Sequence, residues 1–123
     1  MNEDQTQADT PTCDAMREAG SWNTAWDSLA ELDAEWTEKF LGMATHPIRK
    51  GILDPKTFEL IAIAVDASCT HLYAPGVRRH IRKALEIGVS VEEILAVLQL
   101  TSILGIHSMA LGAPILIEEA QKL

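Results

Sequence analysis

The sequence has few of the residues that define several common protein classes. Only two of its 123 residues are cysteine, Cys13 and Cys69, which is too few for a disulfide framework. Aromatic residues make up 5% of the chain, whereas the hydrophobic share of 47% is enough for the core of one domain. Ala, Leu and Ile dominate, which is the composition of packed helices.

An excess of positive charge is also missing. The formal net charge is -8, so no basic stripe offers a place for a phosphate backbone, and we expect no nucleic-acid partner. The N-terminus has neither the basic region nor the apolar run of a secretory signal. We predict no uncharged apolar run of about 18 residues or more, and therefore expect a cytoplasmic protein with no membrane span.

Residues 1–20 differ in composition from the rest of the chain. They are rich in Asp, Glu, Gln and Thr and contain almost nothing large and apolar, so burial cannot offset the entropy of ordering them. We predict a flexible acidic tail over residues 1–20 and a helical domain over residues 21–123. Cys13 would then be an incidental exposed thiol.

Apolar residues at intervals of three and four predict about six helices and no strand, which is an all-α fold. The predicted helices cover residues 23–42, 55–68 and 77–87, with a short turn or helical turn over 48–53. A further helix follows Ser90 and includes the apolar residues from Ile94 to Leu100, and a last helix runs from about His107 or Met109 to Gln121. Breaks are predicted at Thr45-His46-Pro47 and at Pro75-Gly76. Gly105 is predicted to interrupt or bend the chain between the last two helices, and Pro114 to mark a kink.

Several residues give clear helix boundaries. Asp54 followed by Pro55 is a strong start signal, because Asp accepts from first-turn amides and Pro loses no needed donor there. Gly88 is expected to close a helix, and Ser90 with Glu93 forms a capping box that opens the next one. The helix beginning at Pro55 is apolar on almost every face, which places it centrally in the domain.

Two residues on neighbouring predicted helices could exchange protons. Glu59 lies early in the most apolar helix, where burial would favour a carboxyl group able to act near neutrality. His80 shares the inward face of its helix, and Glu59 is its obvious partner if the two helices pack. The alternatives are that Glu59 faces water or interacts with Lys56, and that His80 is simply a satisfied core residue.

Three further residues are candidates for the site. His107 follows Gly105 at a helix bend, from which an imidazole could reach a cavity. His71 and Cys69 lie in a connection suited to lining a pocket. Cys69 has no second thiol within three residues, however, and the alternative that it is an inert buried residue is favoured. The histidine spacings match no compact ligand motif, so we predict no metal site.

The segments beginning at Asp54 and at His80 closely resemble the carboxymuconolactone decarboxylase family, which shares its helical fold with the AhpD-type alkylhydroperoxidases. The resemblance extends from about Leu53 to the C-terminus and is carried by residues 54–65 and by the block His80-x3-Ala-Leu-x2-Gly-x-Ser-x-Glu-Glu-Ile94. It implies an AhpD-like bundle that assembles as a homotrimer or homohexamer, with pockets near subunit contacts and no bound cofactor.

The resemblance also separates two chemistries. The peroxidase branch uses Glu, Cys-x-x-Cys and His, and Glu59 and His80 match its Glu and His. Counting forward from Glu59 places the first cysteine position at His71, and counting back from His80 places it at Tyr73, which indicates a short insertion around residues 74–76. Neither count finds a cysteine pair. The resemblance therefore favours the branch without the dithiol.

We interpret the sequence as a cofactor-independent decarboxylase or lyase acting on a small carboxylated lactone or related carbonyl acid. Glu59, His80 and His107 are the predicted catalytic residues, and Cys69, His71 and Tyr73 the secondary pocket residues. Two alternatives remain open. One is a peroxidase-type redox protein that uses Cys69, and the other is a non-catalytic oligomer that only binds a small molecule.

Overall fold

The computed structural model describes residues 9–123, and over that range it contains α-helices, one short 3₁₀ helix and no strand, which confirms the all-α prediction. The helices are α1 Pro11–Glu18, α2 Asp27–Leu32, α3 Ala34–Lys50, α4 Pro55–Asp66, α5 Ala74–Glu86, α6 Val91–Ile103 and α7 Ile106–Ala120, with the 3₁₀ helix at Thr24–Trp26. They form two compact units that divide between Ile52 and Leu53.

The first helix occupies part of the predicted tail. Residues 1–8 lie outside the described range, but α1 begins at Pro11 and is fixed to α3 by Glu38. The Glu38 carboxylate accepts from the backbone amides of Thr12 at 2.7 Å and Cys13 at 2.9 Å. The tail prediction is therefore wrong for residues 11–18, because one acidic side chain satisfies the open end of the helix.

Cys13 is a correction that follows from this arrangement. The residue is buried rather than exposed, with 4% of its surface accessible. Burial raises the pKa of the Cys13 thiol to about 11, and the hydrogen bond to Glu38 adds to the effect. Since the thiolate is the reactive form of cysteine, Cys13 is an inert core residue. Both cysteines in the described range are free thiols.

The breaks in the first unit do not lie where the sequence predicts them. The chain bends at Asp33, whose carboxylate accepts from the Trp36 amide at 2.9 Å and begins α3. Helix α3 then continues through Pro47 and ends at Gly51, which has a φ of 64°. Arg49 donates to the Gly42 carbonyl at 2.9 Å, beside the Met43 carbonyl that loses its i−4 donor at Pro47.

The second unit keeps most of its predicted helix boundaries. Asp54 accepts from the Thr57 amide at 2.8 Å and begins α4. Ser90 and Glu93 make both hydrogen bonds of the capping box at the start of α6. The predicted break at Pro75 is wrong, because Pro75 and Gly76 lie in the first turn of α5. Backbone N–H groups in the first turn have no acceptor within the helix, so proline removes no helical hydrogen bond there.

The core of the second unit lies between α4, α5 and α6. Ile63, Ala84, Val89 and Ile94 are its buried residues. Partly buried apolar side chains surround them: Leu60, Ile81, Ile87, Val97 and Leu98. Since α4 packs against both α5 and α6, it holds the central place in the unit that its apolar composition predicts. This packing brings the side chains of α4 and α5 face to face.

The last two helices leave an unusual amount of apolar surface uncovered. Helix α7 has no buried residue in the described chain, and Leu100, Ile106, Leu111 and Leu116 are all more than half exposed. No charged residue lies between Glu93 and Glu118, so the prediction that the chain has no long uncharged apolar run is wrong. By length and composition alone, Val91–Ala120 could cross a membrane.

Removing the Glu38 charge should weaken the attachment of α1 in a pH-dependent way. Burial alone would raise the pKa of Glu38, but the hydrogen bonds from Thr12 and Cys13 outweigh it and lower the pKa from 4.5 to about 2. The folded pKa is depressed, so the stabilisation is complete above about pH 4.5 and disappears as the pH falls through about 2. We expect Glu38→Gln to cost about 1–2 kcal/mol at pH 7, allowing for solvent screening.

This prediction is measured by amide hydrogen exchange at Thr12 and Cys13 and by urea unfolding at pH 7 and near pH 2. Glu35→Gln is the matched control, because Glu35 lies on the same helix and pairs with the exposed Lys39. Faster exchange at both amides at pH 7, converging with wild type near pH 2, is the expected result. Equal exchange in the two variants at pH 7 would contradict it.

Candidate active site

A buried carboxylate and an imidazole meet between α4 and α5. The Nδ1–H of His80 donates to Oε2 of Glu59 over 2.7 Å, and Glu59 is 8% exposed. The edge of the Phe58 ring packs near His80, with ring centres 6.2 Å apart. The expected contact between Glu59 and His80 is therefore present, and it fixes the imidazole with its other nitrogen, Nε2, directed away from Glu59.

Sequence reasoning missed the residue on the other side of this imidazole. Asp66, the last residue of α4, places Oδ2 3.7 Å from Nε2 of His80 and Oδ1 3.4 Å from Nε2 of His71. The signal available in the sequence was a carboxylate seven residues, or two helical turns, after Glu59 on the same face of α4. His80 thus has a carboxylate near each ring nitrogen.

Gly76 makes the close approach of Asp66 possible. A Cβ atom on Gly76 would overlap Oδ2 of Asp66 and would lie 2.7 Å from a ring carbon of Tyr73. The Asp66 carboxylate consequently lies against the first turn of α5, where unpaired amides and the helix dipole favour negative charge. Among the positions in the first turn of α5, Gly76 is the one that must lack a side chain.

The connection between α4 and α5 carries the secondary candidates. His71 is half exposed, and its ring lies 5.4 Å from that of Tyr73. Both backbone amides of His71 and Leu72 donate to the Ser68 carbonyl at 2.9 Å. Leu72 has a φ of 45°, an unusual conformation for a bulky side chain. The structure brings His71 to Asp66 and so into the neighbourhood of His80.

Cys69 and His107 are not brought to this group. Cys69 is exposed, contrary to the alternative in which it is a buried apolar residue. His107 lies exposed in the first turn of α7, and within residues 9–123 no hydrogen bond, ion pair or ring contact joins it to Glu59 or His80. The catalytic role assigned to His107 stays a prediction without support from a contact.

An apolar groove lies along α5, and the α5 residues that line it do not include His80. It has a volume of about 690 Å³ and an apolar floor, with Arg78 and Arg82 one turn apart at its edge. Its remaining lining residues are Ala67, Leu72, Ala74, Val77, Ile81 and Leu85. Neither Glu59 nor His80 is among its lining residues, because these two side chains face each other between α4 and α5. The groove and the acid–base pair are thus separate features of the second unit.

The described residues offer no ready metal site. Within residues 9–123, no group of three or more His, Cys, Asp or Glu side chains is arranged to hold a metal ion. Glu59, His80, Asp66 and His71 instead form a chain in which carboxylates and imidazoles alternate. This arrangement can accept, hold and donate protons.

The fold and this site define an all-helical protein with a partly buried Glu–His acid–base pair. The carboxymuconolactone decarboxylase family model matches residues 34–110, and the chain belongs to that family. A crystal structure from Burkholderia xenovorans LB400, provisionally assigned as a gamma-carboxymuconolactone decarboxylase subunit, is 42% identical with a TM-score of 0.82. The match covers 94% of this chain and 47% of the Burkholderia chain, so this chain spans about half the length of that protein. No curated protein matches.

Gly76→Ala should disturb the site without removing a reactive group. The added methyl group must displace Asp66 or Tyr73, and we expect a cost of about 1–3 kcal/mol in unfolding free energy. Gly42→Ala is the matched control, because Gly42 lies inside α3 with nothing within 4 Å of the new atom. That change should instead stabilise by about 0.5–1 kcal/mol. Thermal and urea unfolding measure both, and destabilisation by Gly42→Ala alone would contradict the prediction.

Proposed function

We propose that the protein is a cofactor-independent decarboxylase acting on a small carboxylated lactone or a related carbonyl acid. The observation that carries the proposal is the 2.7 Å contact between Glu59 and His80. Membership of the carboxymuconolactone decarboxylase family supports the reaction class. The name of the Burkholderia protein supports a lactone bearing a carboxylate as its substrate.

The chemistry follows from what decarboxylation requires. When the bond between the carboxylate carbon and the ring breaks, carbon dioxide leaves and its bonding electrons remain on the ring carbon, delocalised onto an adjacent carbonyl oxygen. A proton must then be added to that carbon. Protonated His80 can donate the proton from Nε2, while Glu59 accepts from Nδ1–H and holds the ring in place. In this scheme His107 would donate to the carbonyl oxygen.

Arginine side chains on α5 could attract the substrate carboxylate. Arg78 and Arg82 border the apolar groove, and within the described chain neither forms an ion pair with an acidic residue. Guanidinium groups bind carboxylates well because their paired donors match the two oxygens. The groove is therefore a candidate for first capture of an anion, at a distance from the acid–base pair.

The redox alternative has less support. A peroxidase of the related type needs two cysteines that can form a disulfide, and no Cys-x-x-Cys pair is present. Cys69 is exposed but lacks a neighbouring thiol, and Cys13 is buried with a raised thiol pKa. A protein that binds a small molecule without turning it over is the remaining alternative.

Variants at three positions distinguish these functions. We expect His80→Ala and Glu59→Gln to lower kcat for carbon dioxide release from a carboxylated lactone by about 10²-fold or more. His80→Ala removes the proton donor, and Glu59→Gln removes the carboxylate that holds the donor in place. Cys69→Ser is the matched control and should retain activity. A thermal-shift screen of lactones, aromatic acids, hydroperoxides and divalent metals identifies the substrate for the assay. Hydroperoxide turnover that is lost in Cys69→Ser would overturn the decarboxylase proposal.

We also propose that the chain assembles as a homotrimer or homohexamer. The support is the apolar surface of α6 and α7, where large apolar side chains such as Leu100, Leu111 and Leu116 are exposed at short intervals along the chain. Contiguous exposed apolar surface is typical of an interaction site. A partner copy would remove this surface from water and so stabilise the assembly.

The mass of the purified protein in solution tests this assembly. Light scattering and native mass spectrometry should show three or six copies in detergent-free buffer. Leu116→Glu should shift the distribution to smaller species, because it places a charge on the exposed apolar surface of α7. Lys122→Glu, beyond the end of α7, is the control. A monomer, or a protein that stays in solution only with detergent or lipid, would contradict the prediction.

A further inference from the structure

Asp66 occupies a position that the proposed reaction leaves unexplained. Its side chain is 17% exposed, yet both carboxylate oxygens face imidazole nitrogens. Oδ2 lies 3.7 Å from Nε2 of His80, the nitrogen opposite the one that Glu59 holds. Oδ1 lies 3.4 Å from Nε2 of His71. The carboxylate therefore lies between the two histidines of the site.

The four side chains form a path from the interior to solvent. Side-chain exposure is 11% at Glu59 and 26% at His80, then 17% at Asp66 and 51% at His71. Carboxylate and imidazole alternate along the path, so each group has a proton donor or acceptor as its neighbour. His71 is the member with free access to water.

We propose that Asp66 is the second acid–base partner of His80 and relays protons between His80 and His71. This inference rests on the proposed decarboxylation. In each turnover His80 loses one proton from Nε2 to the ring carbon, and that proton must be replaced. A hydronium ion or a buffer acid protonates His71, and His71 passes a proton from Nε2 to Oδ1 of Asp66. Rotation of the Asp66 carboxyl group then turns the proton towards His80, where it is passed to Nε2. One solvent proton thus enters the product for each carbon dioxide released.

The two gaps along this path set its mechanism. At 3.4 and 3.7 Å they are longer than a well-formed hydrogen bond, so transfer requires a small movement of a side chain that shortens them. The fixed backbone around Asp66 limits that movement. The Tyr73 amide donates to the Asp66 carbonyl at 2.7 Å, and Gly76 lets the carboxylate lie against α5. Asp66 acts through His80, which makes it a positioning and relay residue.

Steady-state kinetics test the relay on the proposed reaction. We expect Asp66→Asn to lower kcat about 10–100-fold with KM within about twofold, because it blocks proton return and leaves substrate binding intact. Asp66→Glu should recover part of the loss. Glu86→Gln, at the exposed end of α5, is the matched control for the loss of a carboxylate. An unchanged kcat in Asp66→Asn, or a rise in KM alone, would overturn the proposal.

Chemical rescue tests the outer end of the path and remains decisive if Asp66→Asn does not fold. His71→Asn should lower kcat about tenfold at low buffer concentration, and imidazole buffer should restore it, because a diffusible acid replaces the missing proton donor. His46→Asn, a surface histidine on α3, should show neither effect. Loss of kcat in His71→Asn with no response to imidazole would overturn the relay.

A measurement without substrate separates this inference from the proposed function. Nitrogen-15 NMR of the histidine rings gives the exchange rate of the Nε2 proton of His80 with water. We expect that exchange to be slower in Asp66→Asn and His71→Asn than in wild type. Equal rates would overturn the relay, as would a bound metal ion that is lost in both variants. Wild-type protein that fails to turn over any lactone but shows the expected exchange would retain the relay and refute the decarboxylase.

Discussion

The hydrogen bond between Glu59 and His80 is the interaction on which the arrangement of the second unit depends. A buried carboxylate needs a partner, and the packing of α4 on α5 provides one at 2.7 Å. The same contact orients the imidazole, so that its second nitrogen faces Asp66. Packing and chemistry are therefore inseparable here, because a shift of α5 relative to α4 would leave a charge unpaired and misdirect the ring.

The parts of the fold that sequence could predict are those determined by neighbouring residues. Asp54 begins α4, the Ser90–Glu93 capping box begins α6, and Gly88 closes α5 with a φ of 96°. Each depends on side chains and amides three or four residues apart, so local sequence contains the necessary information. The mistaken breaks at Pro47 and Pro75 have a similar physical origin. Proline stops a helix only where its missing N–H group would have made a hydrogen bond that nothing else replaces. Whether that is so depends on contacts with the rest of the chain.

The remaining features depend on contacts that local sequence does not specify. Asp66 belongs to the site because the α4–α5 connection folds back and brings His71 beside it. Cys13 is buried because Glu38, 25 residues later, anchors the start of α1. Pairing Glu59 with His80 was predictable because both lie on inward faces of adjacent helices. The placement of His107 away from this pair was not predictable, since helix periodicity does not say what α7 packs against.

The contact between Asp66 and Gly76 joins two positions that are ten residues apart in the chain. Any side chain at position 76 competes for the space that the Asp66 carboxylate occupies. A shorter residue at position 66 would vacate that space, so a substitution that is harmful at one position becomes acceptable after a change at the other. Their effects are consequently not additive. In evolution, positions 66 and 76 can therefore change only together. This requirement limits the substitutions by which the site can acquire a different chemistry.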